Sequence, residues 1–244
     1  MKLSPKERAE IRESFRRMNP AQKLDYIFTY YKLPIVLVLI ALIVVGDFTY
    51  RQVTRKDVLL YAAYFNISMG EELDTALTAG FVDHVGASPK KNEVYIYRDL
   101  YLAQDPSTEN HQYAYASRLK LLASIEAKKL DIVLMNQEAY DILSQNEYLY
   151  ELPSILDQNE PLYLLLAPYL TENTVILEDN SIEYNLNEAD TYEAVTAQAV
   201  NGIDVSSFPL FQDAGFSGSV YLGVIANSPR LAAVFQYMEY LAAA

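Results

Sequence analysis

Between Lys32 and Asp47 the chain runs fourteen residues without a charge, and Ile35 to Val45 consists entirely of Ala, Val, Ile and Leu. A water-facing surface has no use for such a run, so it must be buried in protein or in lipid. A spanning helix takes about 20 residues at a rise of about 1.5 Å each. The flanks supply the missing length. Tyr30 and Tyr31 precede the run and Phe48 and Tyr50 follow it, which makes Tyr31 to Tyr50 a stretch of 20 residues with aromatic rings at both ends, where membrane interfaces lie. Lys32 can snorkel to the headgroups, and Pro34 fits a first helical turn, where its missing N–H costs nothing. The expectation is a transmembrane helix over residues 31–50. A buried core helix is the alternative, and it has no need of an aromatic belt.

The charge divides at the same place. The formal net charge is −13, yet residues 1–46 carry eight Lys/Arg against four acids, and the chain from Asp47 onward carries 11 bases against 28 acids. The basic bias before the run places the N-terminus in the cytoplasm and residues 51–244 outside, as a single-pass protein of the cell membrane. Cleavage as a signal peptide is the competing reading, since Val44 and Gly46 are small. A 32-residue n-region is long for that role, and an uncleaved signal anchor is expected.

Residues 1–30 read as a basic cytoplasmic segment of two short helices. Ser4-Pro5-Lys6-Glu7 has capping-box spacing ahead of Ile11, Phe15 and Met18, and Asn19-Pro20-Ala21-Gln22 repeats the signal ahead of Leu24, Ile27, Phe28 and Tyr31. Basic residues beside such stripes suit an anionic inner leaflet, and plain topogenic anchoring accounts for them as well.

The outer part, residues 51–244, is large enough for one compact domain, or for one full lobe and a reduced second. Its periodicity alternates. Asp57 to Asn66, Glu93 to Tyr101 and Leu130 to Met135 read as strands; between them Gly70 to Val85 and Ser107 to Lys129 read as helices, and Gln137 to Gln145 as a third. That order predicts an α/β domain with a parallel sheet. Further on, Thr174 to Leu177 suits a strand, and Asn187 with Asp190 suits the cap of a helix carrying Tyr192, Val195 and Ala199 that stops at Asn201-Gly202. Ser219 to Ala226 reads as a strand, and Ser228-Pro229 opens a final helix with Leu231, Val234, Phe235, Met238, Leu241 and Ala242 on one face.

Two blocks carry a resemblance. RLKLLASIEAKKLDIVLMNQEAYDILSQNEYLYEL, Arg118 to Leu152, resembles the part of extracellular solute-binding proteins of the type 2 periplasmic-binding fold where a helix leads into a "DIV" strand whose end faces the ligand cleft. YLGVIANSPRLAAVFQYMEYL, Tyr221 to Leu241, is similar to that family's returning strand, Asn-Ser cap and closing helix. The tail and its Tyr-rich entry to one span also look like membrane-anchored proteins of Gram-positive bacteria. The resemblance implies a periplasmic-binding-like parallel-sheet domain with a reduced second lobe between about Pro153 and Gly218. It implies binding of a small polar ligand such as a sugar or peptide, beside an ABC-type permease. A structural or interaction module without a ligand is the alternative. Such proteins usually hang from a lipidated Cys, and this chain has no Cys, which leaves residues 31–50 as its anchor.

Open parallel sheets bind ligands beyond the carboxyl ends of their strands. Those ends offer Tyr64 and Asn66, Tyr97 and Asp99, and Asn136 with Gln137, which together supply amide donors and acceptors, a carboxylate and aromatic faces. Ordinary turn chemistry would put the same residue types there. Other chemistry finds little support. Without Cys there is no disulfide scaffold, thiolate zinc site, iron–sulfur cluster or thiol nucleophile. His84 and His111 lie far apart in sequence without ligand spacing; His84 is expected partly buried and His111 solvated. Glu178-Asp179-Asn180 with Glu183 lacks the turn glycine of an EF-type loop, and Ser217-Gly218-Ser219 lacks the frame of a nucleophile elbow. Glycine-rich phosphate motifs are absent, so no cofactor is called for and no enzyme is expected. The acidic balance argues against nucleic acid as a partner.

Overall fold

The second capping signal forms as read. In the computed structural model, which describes residues 12–13, 16–104, 110–186, 191–212 and 214–243, Asn19 Oδ1 accepts from Gln22 N at 2.8 Å while Gln22 Oε1 accepts from Asn19 N at 3.1 Å. That reciprocal pair opens α1 (Pro20–Tyr30). The first capping signal lies outside the described residues. After Tyr31 comes α2 (Lys32–Thr54), whose segment Lys32–Tyr50 is long and apolar enough to cross a membrane, with none of that segment buried. Residues 1–55 and Lys56–Ala244 are separate compact units.

The second unit is built on one six-stranded sheet. Its strands are β1 (Asp57–Phe65), β2 (Asn92–Leu100), β3 (Ile132–Met135), β4 (Leu170–Asp179), β5 (Ala194–Asp204) and β6 (Tyr221–Val224), in the order β2-β1-β3-β6-β5-β4. The parallel expectation holds for β2-β1-β3. It fails for the rest, because β6 returns antiparallel to β3 and the ribbon of β4 and β5 continues antiparallel from β6. The expected second lobe is also corrected: the segment between Pro153 and Gly218 sends β4 and β5 into the same sheet and stays within the one compact unit.

The third correction is the helix expected after Asp190. Residues 194–204 are β5, with Gln198 opposite Thr174 and Ala197 opposite Val175. The apolar stripe of Tyr192, Val195 and Ala199 satisfies a helical period, but a tertiary requirement overrides it. Asn201 is buried, with its Oδ1 accepting from Tyr140 Oη at 2.9 Å and its Nδ2 donating to Ser144 Oγ at 2.8 Å. A Cβ on Gly202 would lie 2.5 Å from the Tyr140 ring, so this supposed helix stop is instead the place where the strand admits an aromatic side chain.

Strand alternation divides the core between the two faces of the sheet. Leu60, Ala62, Ile132, Leu134, Leu222 and Val224 pack beneath a helical stretch of α3 (Glu71–Thr75), a π turn (Ala76–Gly80) and α4 (Phe81–His84). The same face is covered by α7 (Leu152–Leu156), α8 (Glu160–Leu166) and α11 (Leu231–Ala243). The π turn is held from α11, where Tyr240 Oη donates to Ala76 O at 2.9 Å and Tyr237 Oη to Leu77 O at 3.1 Å. Ala63, Phe65, Val133 and Met135 face the other way, under α5 (His111–Glu126) and α6 (Gln137–Gln145). Two short helices complete the unit, α9 (Ser181–Leu186) between β4 and β5 and α10 (Pro209–Gln212) before β6.

Candidate functional site

Three of the six expected residues meet in one groove. At the ends of β1 and β3, Asn66, Ile67 and Ser68 with Asn136 and Gln137 form one wall, and Gly215 to Val220 form the other, around a volume of about 450 Å³. Asn66 takes a left-handed backbone, with φ 57, to leave β1. Its side chain clasps the far loop, with Oδ1 accepting from Leu102 N at 2.7 Å and Nδ2 donating to Leu102 O at 2.6 Å and to Glu138 Oε2 at 3.4 Å. Asn136 caps α6, its Oδ1 accepting from Ala139 N at 3.0 Å, which leaves its amide N–H₂ for the groove. Gln137 is exposed and donates through Nε2 to Asp141 Oδ1 at 2.7 Å, which leaves Oε1 as an acceptor.

The other three residues are elsewhere. Tyr64 is buried against the helical stretch and donates to Asp74 Oδ1 at 3.2 Å, while Arg98 grips the same carboxylate with Nε at 3.1 Å and Nη2 at 2.7 Å. Burial first, and then the Asp74 charge, raise the Tyr64 phenol above its ordinary range. Tyr97 packs on the opposite face of the sheet, in an edge contact with Tyr95 at 5.0 Å and with Lys120 Nζ 5.2 Å above its ring. Asp99 turns its chain with φ 57, its carbonyl accepts from Tyr113 Oη, and its side chain is exposed. Period-two alternation separates Tyr64 from Tyr97, and Asp99 sits near the end of the edge strand β2, outside the lining of the groove.

The opposite wall was missed by sequence reasoning. Gly215-Phe216-Ser217-Gly218-Ser219 has no periodicity, and its usable signal was turn chemistry just before an apolar strand. Gly215 needs to be glycine, because its φ is 72. Val220 anchors the wall to the sheet by donating to Ser206 Oγ at 2.8 Å and by accepting at its carbonyl from Val205 N at 3.0 Å. Phe216 packs against Phe211, with ring centroids 6.3 Å apart.

The described lining residues carry no formal charge; the Glu138 carboxylate stands behind Asn66 and also accepts from Gln104 N at 3.4 Å. Such a surface offers hydroxyls, amides and one aromatic ring, which suits the binding of neutral polar groups. Among the described residues no group of three or more His, Asp or Glu could hold a metal ion. His84, expected partly buried, is exposed beside Tyr240 at 5.0 Å between ring centroids. His111 is exposed and lines a separate hollow of about 340 Å³ with Leu102, Ala103, Tyr115 and Arg118. Comparison with models of protein families, with curated proteins and with solved structures finds no match to this chain.

Proposed function

We propose that this chain is a single-pass, membrane-anchored binding protein whose domain of residues 56–244 works outside the cell, holding a small uncharged polar ligand in the groove between Asn136 and Gly215–Val220. The observation that carries the reading is the convergence of Asn66, Asn136 and Gln137 with a Gly/Ser-rich wall in a groove whose described lining residues carry no formal charge, on a strongly acidic domain. The sequence likeness of Arg118 to Leu152 and of Tyr221 to Leu241 to solute-binding proteins supports the same reading, with an ABC-type permease as the partner to which ligand would pass. The basic residues before α2 support a cytoplasmic N-terminus.

The test is thermal unfolding of the full-length protein in detergent against a panel of sugars, short peptides and neutral amino acids. A ligand at 100 times its dissociation constant adds about 2.7 kcal/mol, or roughly 5–10 °C in Tm for a domain of this size. Gln137→Ala should weaken that shift and leave the unliganded Tm within about 1 °C, since exposed substitutions cost little. A panel without any shift would sink the ligand reading. The second reading, an interaction module, is favoured by two exposed apolar patches on the same unit.

A further inference from the structure

Helix α5 exposes apolar side chains on the side turned away from the core. Its inner side buries Ser117, Leu121 and Ser124, while Tyr115, Leu119 and Leu122 lie at i, i+4 and i+7 on the outer side and are 66%, 49% and 40% exposed. The ribbon of β4 and β5 bears a second patch. At its end α9 exposes Ile182 at 71% and Leu186 at 82%, with Leu177 and Val195 exposed beside them. This end is a built shape. Asn180 bridges the ribbon, donating from Nδ2 to Thr191 O and accepting at Oδ1 from Glu193 N, both at 2.7 Å, and Asp179 Oδ1 accepts from Ser181 Oγ at 2.7 Å.

Charge distinguishes the two patches. No Lys or Arg occurs between Lys129 and Arg230, so the whole β4–β5 ribbon lies in a stretch without bases, and its outer end exposes Glu178, Asp179, Glu183 and Glu193. Along α5 itself and the three residues that follow it stand Arg118, Lys120, Lys128 and Lys129 against one acid, Glu126. An acid-rimmed apolar tip and a base-rimmed apolar helix face are complementary, and one molecule carries both. Each patch repels its own kind and attracts the other.

We infer that the ribbon tip of one copy seats on the α5 face of the next copy, in a head-to-tail contact between molecules of this chain. Unlike patches in contact leave one of each free at the ends, so copies in a membrane line up as a row or close into a ring. The contact does not depend on the ligand groove.

The chain has no Cys, so an introduced thiol is unique. Leu119→Cys and Leu186→Cys, placed on separately tagged full-length chains and co-expressed in one membrane, should give under mild oxidation a covalent dimer bearing both tags. Each variant expressed alone should give less than a tenth of that product. Arg118→Glu with Lys129→Glu should lower the mixed product at least fivefold, and Glu178→Lys with Glu183→Lys on the partner copy should restore it. Variants are compared only where their Tm matches the parent. A dimer from Leu119→Cys alone would mean that α5 faces pair with each other and would overturn the head-to-tail contact. Absence of any product would overturn it as well and would leave the patches to lipid or to another protein. The groove is read by ligand-induced Tm shifts instead, so the two failures are distinct.

Discussion

Asp131 is fully buried at the entrance to β3, and its carboxylate accepts three hydrogen bonds: from Tyr61 N at 2.8 Å, Ser228 Oγ at 2.6 Å and Arg230 Nε at 2.8 Å. Arg230 also donates to Lys128 O at 2.6 Å and lies 4.7 Å above the Tyr61 ring. One side chain thereby joins β1, the start of β3 and the turn into α11. Removing one member of a buried pair strands the others, so Asp131→Ala should cost about 3 kcal/mol in denaturant unfolding. A loss below about 1 kcal/mol would show that water replaces the carboxylate. The tyrosines give a pH dependence. Burial is the largest cause raising Tyr64 and Tyr237, and it pushes Tyr140 up to about 12 from an ordinary 10.0. In the unfolded chain these phenols ionise near pH 10, while the folded protein still holds their protons. Stability is therefore full below about pH 10 and falls as pH rises from there toward about 12. Unfolding free energies measured at pH 8, 9, 10 and 11 should be level at first and then decline; a level profile throughout would contradict the burial.

The π turn Ala76–Gly80 is a helical irregularity with an identifiable support. A Cβ on Gly80 would stand 2.6 Å from Tyr240 Oη, which in turn donates to Ala76 O. Gly80→Ala and Tyr240→Phe should therefore be coupled. Each single change loses either the space or the hydrogen bond, and the double variant should be more stable than the sum predicts by about 1 kcal/mol or more in a thermodynamic cycle. Additive effects would mean that Tyr240 moves aside freely. Elements of this kind explain what could be read in advance. Strands β1, β2 and β3 were legible because their apolar runs are bounded by turn residues, and α2 was legible from length and flanks. The rule that places sites at strand ends selected Asn66, Asn136 and Gln137, which share one groove because β1 and β3 are neighbours. Tyr64 and Tyr97 were misplaced by the same rule, because it does not specify the face of the sheet. Strand β5 was misread because Tyr192, Val195 and Ala199 fit a helical period. What decides otherwise is the Tyr140–Asn201–Ser144 network, whose partners are 57 and 61 residues apart. The antiparallel return of β6 has no local signature.

At the scale of the whole molecule, charge acts in two opposite ways. From Asp47 onward 28 acids oppose 11 bases, so like charges repel within each copy, while the basic α5 face and the acidic ribbon attract between copies. Raising salt from about 0.01 M to 0.15 M shortens the screening length from about 30 Å to about 8 Å. The Tm of the protein should rise over that range while the yield of the Leu119→Cys with Leu186→Cys product falls; both moving in the same direction would refute this balance. The strand order also imposes a schedule. Strand β3 lies between β1, which precedes it in the chain, and β6, which pairs Ile132 with Val224 and is made well after it. At roughly 5–20 residues per second, synthesis leaves one side of β3 unpaired for on the order of 4–18 s. A central apolar edge is then open for as long as the chain takes to emerge, so folding should be sensitive to any factor that occupies nascent strands, and truncation before Tyr221 should yield an aggregating product, not a smaller domain.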